Sequence, residues 1–126
     1  MITYLLCTDN PAMEIEWGKA FCDIQAFEIL LEDILSVPCD ALVSPANSRG
    51  WMDGGLDREI NRFFDWNIEE RVISCIESRH NGLLPIGKAD IVETQDKRIS
   101  FLIVSPTMEM PGPVPDSANA YLAMKA

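Results

Sequence analysis

The stretch Asp40-Ala-Leu-Val-Ser-Pro-Ala-Asn47-Ser-Arg-Gly-Trp-Met-Asp53-Gly-Gly-Leu-Asp57 decides the fold of this chain. Its apolar run Ala41 to Val43, which lies between two prolines, predicts a strand that is covered on both faces. A polar loop follows, and the turn Gly54-Gly55 then leads into a helix that begins near Leu56. Because a helix start carries free amides that attract anions, this order of elements predicts a ligand site with a preference for phosphate.

Outward from this stretch, apolar periodicity predicts alternating strands and helices. Strands are expected near Ile2 to Leu6, Phe27 to Leu31, Ala89 to Glu93 and Ile99 to Val104, and helices from Pro11, from Leu56, over Ile68 to Ile76 and from Asp116 or Ser117.

Two of the apolar segments end alike, as Leu42-Val-Ser-Pro45 and Ile103-Val-Ser-Pro106. If these strands are parallel neighbours, the loops that follow them emerge at the same edge of the sheet. The Asn47 loop and the Thr107 to Pro115 loop are then expected to form opposite walls of one cleft.

Composition restricts the classes of function. The 126 residues, 48% of them hydrophobic and 24% charged, predict a single globular domain over residues 1–126. A net charge of −10 argues against nonspecific binding to nucleic acid or to anionic membranes. The four cysteines occur singly beside one histidine, so we expect no metal site and no disulfide framework. The apolar run Met1 to Leu6 is short for a membrane span or signal segment, and we expect a cytoplasmic protein.

The deciding stretch also resembles a known family. Val43-Ser-Pro-Ala-Asn47 followed by Gly54-Gly55-Leu56-Asp57 is similar to the Asn-Ala-Ala-Asn and Gly-Gly-Val-Asp signature of macro domains, with Ser44 in place of the first asparagine. Glu32-Asp33-Ile34 resembles the family's Gly-Asp-Ile, and two later segments resemble its later strands. The tract from Ser105 to Lys125 further resembles a stand-alone bacterial branch of the family.

The resemblance implies an α/β fold of three layers, α/β/α, with a mixed central sheet. It also implies ADP-ribose as ligand, without a cofactor. Asp33 and the Ile34 amide would contact adenine, and the amides of Gly54, Gly55 and Leu56 would contact the diphosphate. Asn47 would hold hydroxyls of the distal ribose, and Ala46 would be a further ligand-binding residue.

Hydrolytic family members imply a second function. There, residues that match Asn47 and Asp57 orient the distal ribose and a water, so the resemblance allows a metal-independent hydrolase that acts on ADP-ribosylated protein or on phosphorylated ADP-ribose. A third alternative is a macro-like scaffold without a nucleotide ligand.

Several of these residues also have purely structural explanations. Asp33 and Asn47 are typical turn formers, Asp53 is suited to cap the helix near Leu56, and Asp57 in the first helical turn gains from the helix dipole. Trp51 and Met52 can staple that helix to the core.

The resemblance covers nearly all of this chain but about two thirds of a typical family member. The second glycine-rich loop of the family has no counterpart in the sequence, so we expect a C-terminally truncated version of the fold. Such a sheet would expose a strand edge, and homo-oligomerisation is therefore expected.

Overall fold

The computed structural model describes residues 1–126, which form two compact units, Met1–Pro38 and Cys39–Ala126. Together they contain helices and both parallel and antiparallel strand pairs, which confirms the expected mixed α/β class. The expectation of a single domain stays a prediction. No helix is both long and apolar enough to cross a bilayer.

The first unit is a parallel strand pair with one connecting helix. Strand β1 (Tyr4–Thr8) pairs with β2 (Phe27–Leu31), and helix α1 (Pro11–Phe21) lies between them in sequence. Asn10 caps α1, since its side chain accepts a hydrogen bond from the Ala12 amide at 2.9 Å. Strand β1 begins two residues later than the sequence predicted, where Tyr4 pairs with Phe27 and the two rings stack at 5.0 Å.

The second unit is built on a three-stranded mixed sheet. The central strand β5 (Phe101–Val104) pairs in parallel with β3 (Ala41–Ser44) and antiparallel with β4 (Asp90–Glu93). Helices α2 (Gly55–Phe63) and α3 (Ile68–His80) connect β3 to β4. The parallel pairing of β3 with β5 confirms that the two Ser-Pro strand ends are neighbours.

Alternation along the strands positions the core of the second unit. Leu42, Leu102 and Val92 face one another across the sheet, and each is at most 8% exposed. Apolar side chains of the two helices are buried with them: Ile60, Phe64, Ile68, Val72 and Ile76. Burying these side chains removes apolar surface from water and so holds the two helices against the sheet.

The end of the chain forms a short helix, α4 (Asn119–Lys125), which begins two residues after the predicted start at Ser117. Ser117 instead belongs to a turn in which its hydroxyl donates to the Val114 carbonyl at 2.8 Å. Serine commonly makes such local bonds outside helices, which explains the later start.

Candidate functional site

The loops that follow β3 and β5 are joined by backbone hydrogen bonds. The bonds are Ser105 N to Ser44 O at 3.0 Å, Thr107 N to Ala46 O at 2.9 Å and Ser48 N to Met108 O at 2.9 Å. Asn47 and Met108 also form an isolated parallel bridge. Pairing of the two strands therefore continues into the loops, and it holds them at a fixed separation.

Between these loops lies a cleft of about 360 Å³. Asn47 and Trp51 line one side, Met108 and Pro111 line the other, and the segment from Asp53 to Asp57 completes the lining. This arrangement confirms the cleft expected from the repeated strand ends. Its volume is at the lower end of the range of about 300–1,000 Å³ that is typical of small-molecule sites.

The start of helix α2 faces this cleft with unused backbone amides. Gly54 is the N-cap, and no side chain caps the helix. The expectation that Asp53 would cap it was therefore wrong, because the helix begins one residue after Gly54 and Asp53 lies outside the capping position. The first amides of an α-helix have no intrahelical acceptor, so they are available to an anion in the cleft.

Gly54 and Gly55, which line the cleft, have open space around their Cα atoms. A Cβ placed at Gly54 or Gly55 would meet no protein atom within 4 Å. Gly55 has a φ of +56°, which favours glycine, but Gly54 is extended at −152° and any residue adopts that value. At Gly54 neither protein packing nor φ requires glycine, and the absence of a side chain leaves the backbone of this cleft-lining residue open.

The side chain of Asn47 holds its own loop together. Its Oδ1 accepts from the amides of Arg49 at 3.1 Å and Trp51 at 3.2 Å, and its Nδ2 donates to the Trp51 carbonyl at 2.7 Å. Asn47 is 4% exposed, and its neighbour Ala46 is also buried. One Nδ2 hydrogen remains without a protein acceptor and can reach a ligand.

Asp57 is buried at the start of α2 and is tied to the end of β3. Its Oδ1 accepts a hydrogen bond from the Ser44 hydroxyl at 2.5 Å, and the residue is 9% exposed. Burial raises the pKa of Asp57 above its ordinary value, and the Ser44 hydrogen bond partly opposes this rise. Sequence reasoning noted Ser44 only as a departure from the family motif and missed this partnership.

Other side chains around the cleft have separate tasks. Met52 is buried, as a hydrophobic staple should be, whereas Trp51 is 39% exposed and lines the cleft. The Met52 amide donates to the carboxylate of Glu69 in α3. Arg49 donates to the Gly82 carbonyl at 3.4 Å and is absent from the cleft lining. No lysine, arginine or histidine lines the cleft.

The two residues expected at adenine belong to the first unit. Asp33 caps a 3₁₀ turn over Ile34–Ser36, with its Oδ1 accepting from the Leu35 amide at 2.8 Å. The residue is exposed, and its second carboxylate oxygen makes no hydrogen bond within the protein. Asp33 is thus a turn former that keeps one free acceptor, and its role at adenine stays a prediction.

The fold is an α/β domain with a mixed sheet, in which the loop after β3 and the start of α2 line a cleft. The Macro domain family model matches residues 43–125, and the chain belongs to this family. The match includes every residue of the cleft described above.

Solved structures share the fold. The macrodomain of Mycobacterium tuberculosis DarG aligns with a TM-score of 0.58 at 22% identity, over 74% of this chain and 59% of that one. The Oceanobacillus iheyensis macrodomain, solved with MES bound, aligns with a TM-score of 0.59 at 21% identity, over 72% of this chain and 48% of that one.

Two curated proteins are similar to this chain in sequence. An uncharacterized protein of Aeropyrum pernix is 33% identical over 98 residues, which are 78% of this chain and 49% of the relative. One of Aquifex aeolicus is 31% identical over 84 residues, which are 67% of this chain and 47% of the relative. The chain thus spans about half the length of the curated relatives that it matches.

Proposed function

We propose that this protein binds ADP-ribose, or a derivative of it, in the cleft between the Asn47 loop and the Thr107 to Pro115 loop. Macro domains generally bind ADP-ribose, and this chain belongs to that family. The observation that carries the proposal is the uncapped start of α2, where Gly54, Gly55 and Leu56 line the cleft. Their amides would hold the diphosphate, and the helix dipole would add about 0.3–1 kcal/mol.

The diphosphate contact can be tested at Gly54. A methyl group there meets no protein atom and needs no unusual φ, so Gly54→Ala should fold normally while its Cβ obstructs a diphosphate near the backbone. We expect calorimetry to show saturable one-site binding of ADP-ribose to the wild type and at least about tenfold weaker binding to Gly54→Ala, the equivalent of roughly 1.4 kcal/mol.

Gly18→Ala is the matched control for this test. Gly18 lies within α1, and a Cβ there also meets no atom within 4 Å. This variant should bind ADP-ribose as the wild type does. Equal affinity of the wild type and Gly54→Ala would place the diphosphate elsewhere, and no binding by the wild type would support a macro-like scaffold without a nucleotide ligand.

The adenine contact is a separate part of the proposal. Asp33 would accept a hydrogen bond from the exocyclic amine of adenine through its free oxygen, and the Ile34 amide would contact the same ring. Asp33→Ala should weaken ADP-ribose while leaving ribose 5-phosphate, which lacks adenine, unaffected. Equal weakening of both ligands would indicate that the substitution disturbs the fold rather than an adenine contact.

A second candidate function is hydrolysis of the bond between ADP-ribose and a modified protein. The specific observation that favours it is a buried carboxylate, Asp57, which lines the cleft with a raised pKa. Such a group can orient water near an anomeric carbon, with Asn47 at the distal ribose. Asp57→Asn should abolish release of ADP-ribose from a modified protein while weaker but measurable ADP-ribose binding remains through the α2 amides, whereas unchanged release would remove Asp57 from the mechanism.

We also propose a cytoplasmic location and self-association. Free thiols at Cys22, Cys39 and Cys75 support a reducing compartment. Strand β3 is an edge strand, and its Val43 is 51% exposed, which supports pairing with a second copy. Light scattering of the protein across a concentration series should therefore show a mass above that of one chain.

A further inference from the structure

The end of strand β3 and the start of helix α2 are joined by one buried hydrogen bond. Ser44 is the last residue of β3 and is 1% exposed, and its hydroxyl donates to Asp57 Oδ1. Neither side chain makes a hydrogen bond to any other group of the protein. The direction of the Asp57 carboxylate is therefore set by Ser44.

The second oxygen of Asp57 is free of protein partners. Asp57 Oδ2 has no hydrogen-bond partner in the protein, yet no buried side-chain oxygen is left without a partner, so this atom retains accessible surface. Asp57 is among the residues that line the cleft. With Oδ1 occupied by Ser44, Oδ2 is the carboxylate oxygen of Asp57 that remains available to a ligand in the cleft.

The only charged side chains around this acceptor are acidic. Asp53 and Asp57 both line the cleft, and no cationic side chain lines it. A ligand hydroxyl next to Asp57 would form a charge-assisted hydrogen bond, which is stronger than a neutral one. A terminal phosphate in the same place would instead bring a further negative charge close to two carboxylates, and like charges at an interface are strongly unfavourable.

We propose that Ser44 is a positioning residue for Asp57, and that the pair makes the cleft select nucleoside diphosphates that carry a hydroxyl-bearing sugar over those that end in a phosphate. This inference rests on the proposed binding of ADP-ribose and narrows it. It assigns the derivatives recognised by the site to those whose distal ribose bears no phosphate.

Three ligands separate charge from sugar contacts. ADP-ribose, the β-methyl ester of ADP and ADP share adenosine and both phosphates. ADP-ribose differs from the ester by the distal ribose, and the ester differs from ADP by one negative charge at pH 7.5. Calorimetry with the wild type should give at least roughly tenfold steps in this order, the change expected for one charge-assisted hydrogen bond or one close charge repulsion.

Variants of the pair should change these ratios and not only the affinities. Ser44→Ala should reduce the preference for ADP-ribose over the ester to less than about threefold, while Ser44→Thr, which keeps the hydroxyl, should retain most of it. Asp57→Asn should bring ADP and its ester to nearly equal affinity. If Ser44→Ala does not fold, Ser44→Cys keeps the volume with a weak donor and should reduce the preference in the same way.

Ser105 supplies the matched control. It directly follows the neighbouring parallel strand β5, precedes a proline as Ser44 does, and is 3% exposed, but its hydroxyl donates to the Ala123 carbonyl at 2.6 Å. Ser105→Ala should leave both ratios unchanged. Equal weakening of all three ligands by Ser44→Ala would show a merely structural role and overturn the inference, while ADP-ribose binding would stand. Failure of the wild type to bind any of the three would overturn the proposed function itself.

Discussion

Gly50 offers a test of how the Asn47 loop is held. It has a φ of +80°, and a Cβ at this position would lie 2.8 Å from Ile76 Cδ1 and 2.9 Å from Val72 Cγ1. Both neighbours are buried side chains of α3 that are 1% exposed, so they have little room to move. Gly50→Ala should therefore combine a backbone penalty with overpacking of the core.

The magnitude follows from these two contributions. A non-glycine residue in the left-handed region costs roughly 1–2 kcal/mol. Extra methyl groups forced into a packed core cost about 1–3 kcal/mol. We expect Gly50→Ala to lower the free energy of unfolding by roughly 2–5 kcal/mol, which is several times the usual effect of a surface substitution.

Gly82 isolates the first contribution. It has a φ of +86°, but a Cβ there meets nothing within 4 Å. Gly82→Ala should therefore lose only roughly 1–2 kcal/mol. Urea unfolding, followed by far-ultraviolet circular dichroism, measures both variants on one scale. In a chain of 126 residues, each kcal/mol should also lower the melting temperature by about 3–5 °C.

The same pair of variants links packing to binding. Gly50 lies between Asn47 and Trp51, whose hydrogen bonds shape one wall of the cleft. At a temperature where both variants are folded, Gly50→Ala should bind ADP-ribose more weakly than Gly82→Ala. If Gly50→Ala is no less stable than Gly82→Ala, the loop does not pack on α3 as closely as these distances require, and the account of the cleft wall is refuted.

Three further predictions concern hydrogen-bonded side chains. Asp57→Asn should raise stability at neutral pH, because burial raises the pKa of Asp57 and an amide carries no charge to desolvate. The stability contributed by a raised carboxyl pKa is present at acid pH and lost as pH rises through the folded-state value, so urea midpoints of the two proteins should converge on acidification. At Asp90, burial acts to raise the pKa, but hydrogen bonds from His80, the Ile91 amide and Arg79 outweigh it and hold the pKa below its ordinary value. A lowered carboxyl pKa contributes stability at neutral pH that is lost on acidification. Asp90→Asn should therefore lower the free energy of unfolding by about 1 kcal/mol at pH 7 and leave it unchanged below the folded-state pKa, which thermal melts at a series of pH values will measure. Asn47→Ala should destabilise the protein by about 1–3 kcal/mol and speed hydrogen exchange at the Trp51 amide. Unchanged protection of that amide would contradict its hydrogen bond to Asn47.

The order of elements was predictable because apolar runs and turn residues report it directly. Strand β3, the helix start at Gly55 and the neighbouring loops all followed from the stretch between Asp40 and Asp57. The boundary of α2 was harder, because Asp53 and Gly54 both suit an N-cap and only the backbone path decides between them. Periodicity identifies an element more reliably than its first residue.

The hydrogen-bond partners within the cleft were not predictable. The sequence shows only that position 47 is an asparagine, not whether its side chain binds a ribose or its own loop. In the structure, three hydrogen bonds of this side chain go to the loop. Ser44 and Asp57 are separated by 13 positions, and no periodicity brings them together. Their contact depends on how far β3 runs before the chain turns toward α2, which is a property of the packed unit.

These partnerships determine which groups remain for a ligand. Asn47 and Ser44 use their side chains to fix the loop and the Asp57 carboxylate, and Arg49 is committed to the Gly82 carbonyl. What remains in the cleft is a row of backbone amides at the start of α2, one amide hydrogen of Asn47 and the carboxylates of Asp53 and Asp57. Amides attract a diphosphate without adding formal charge, and the carboxylates oppose further negative charge beyond it. Selectivity in such a site arises from the distance between the α2 amides, which donate, and the Asp57 carboxylate, which accepts. Substitutions that move β3 relative to α2 should therefore change which ligand is preferred more than they change the affinity for all ligands.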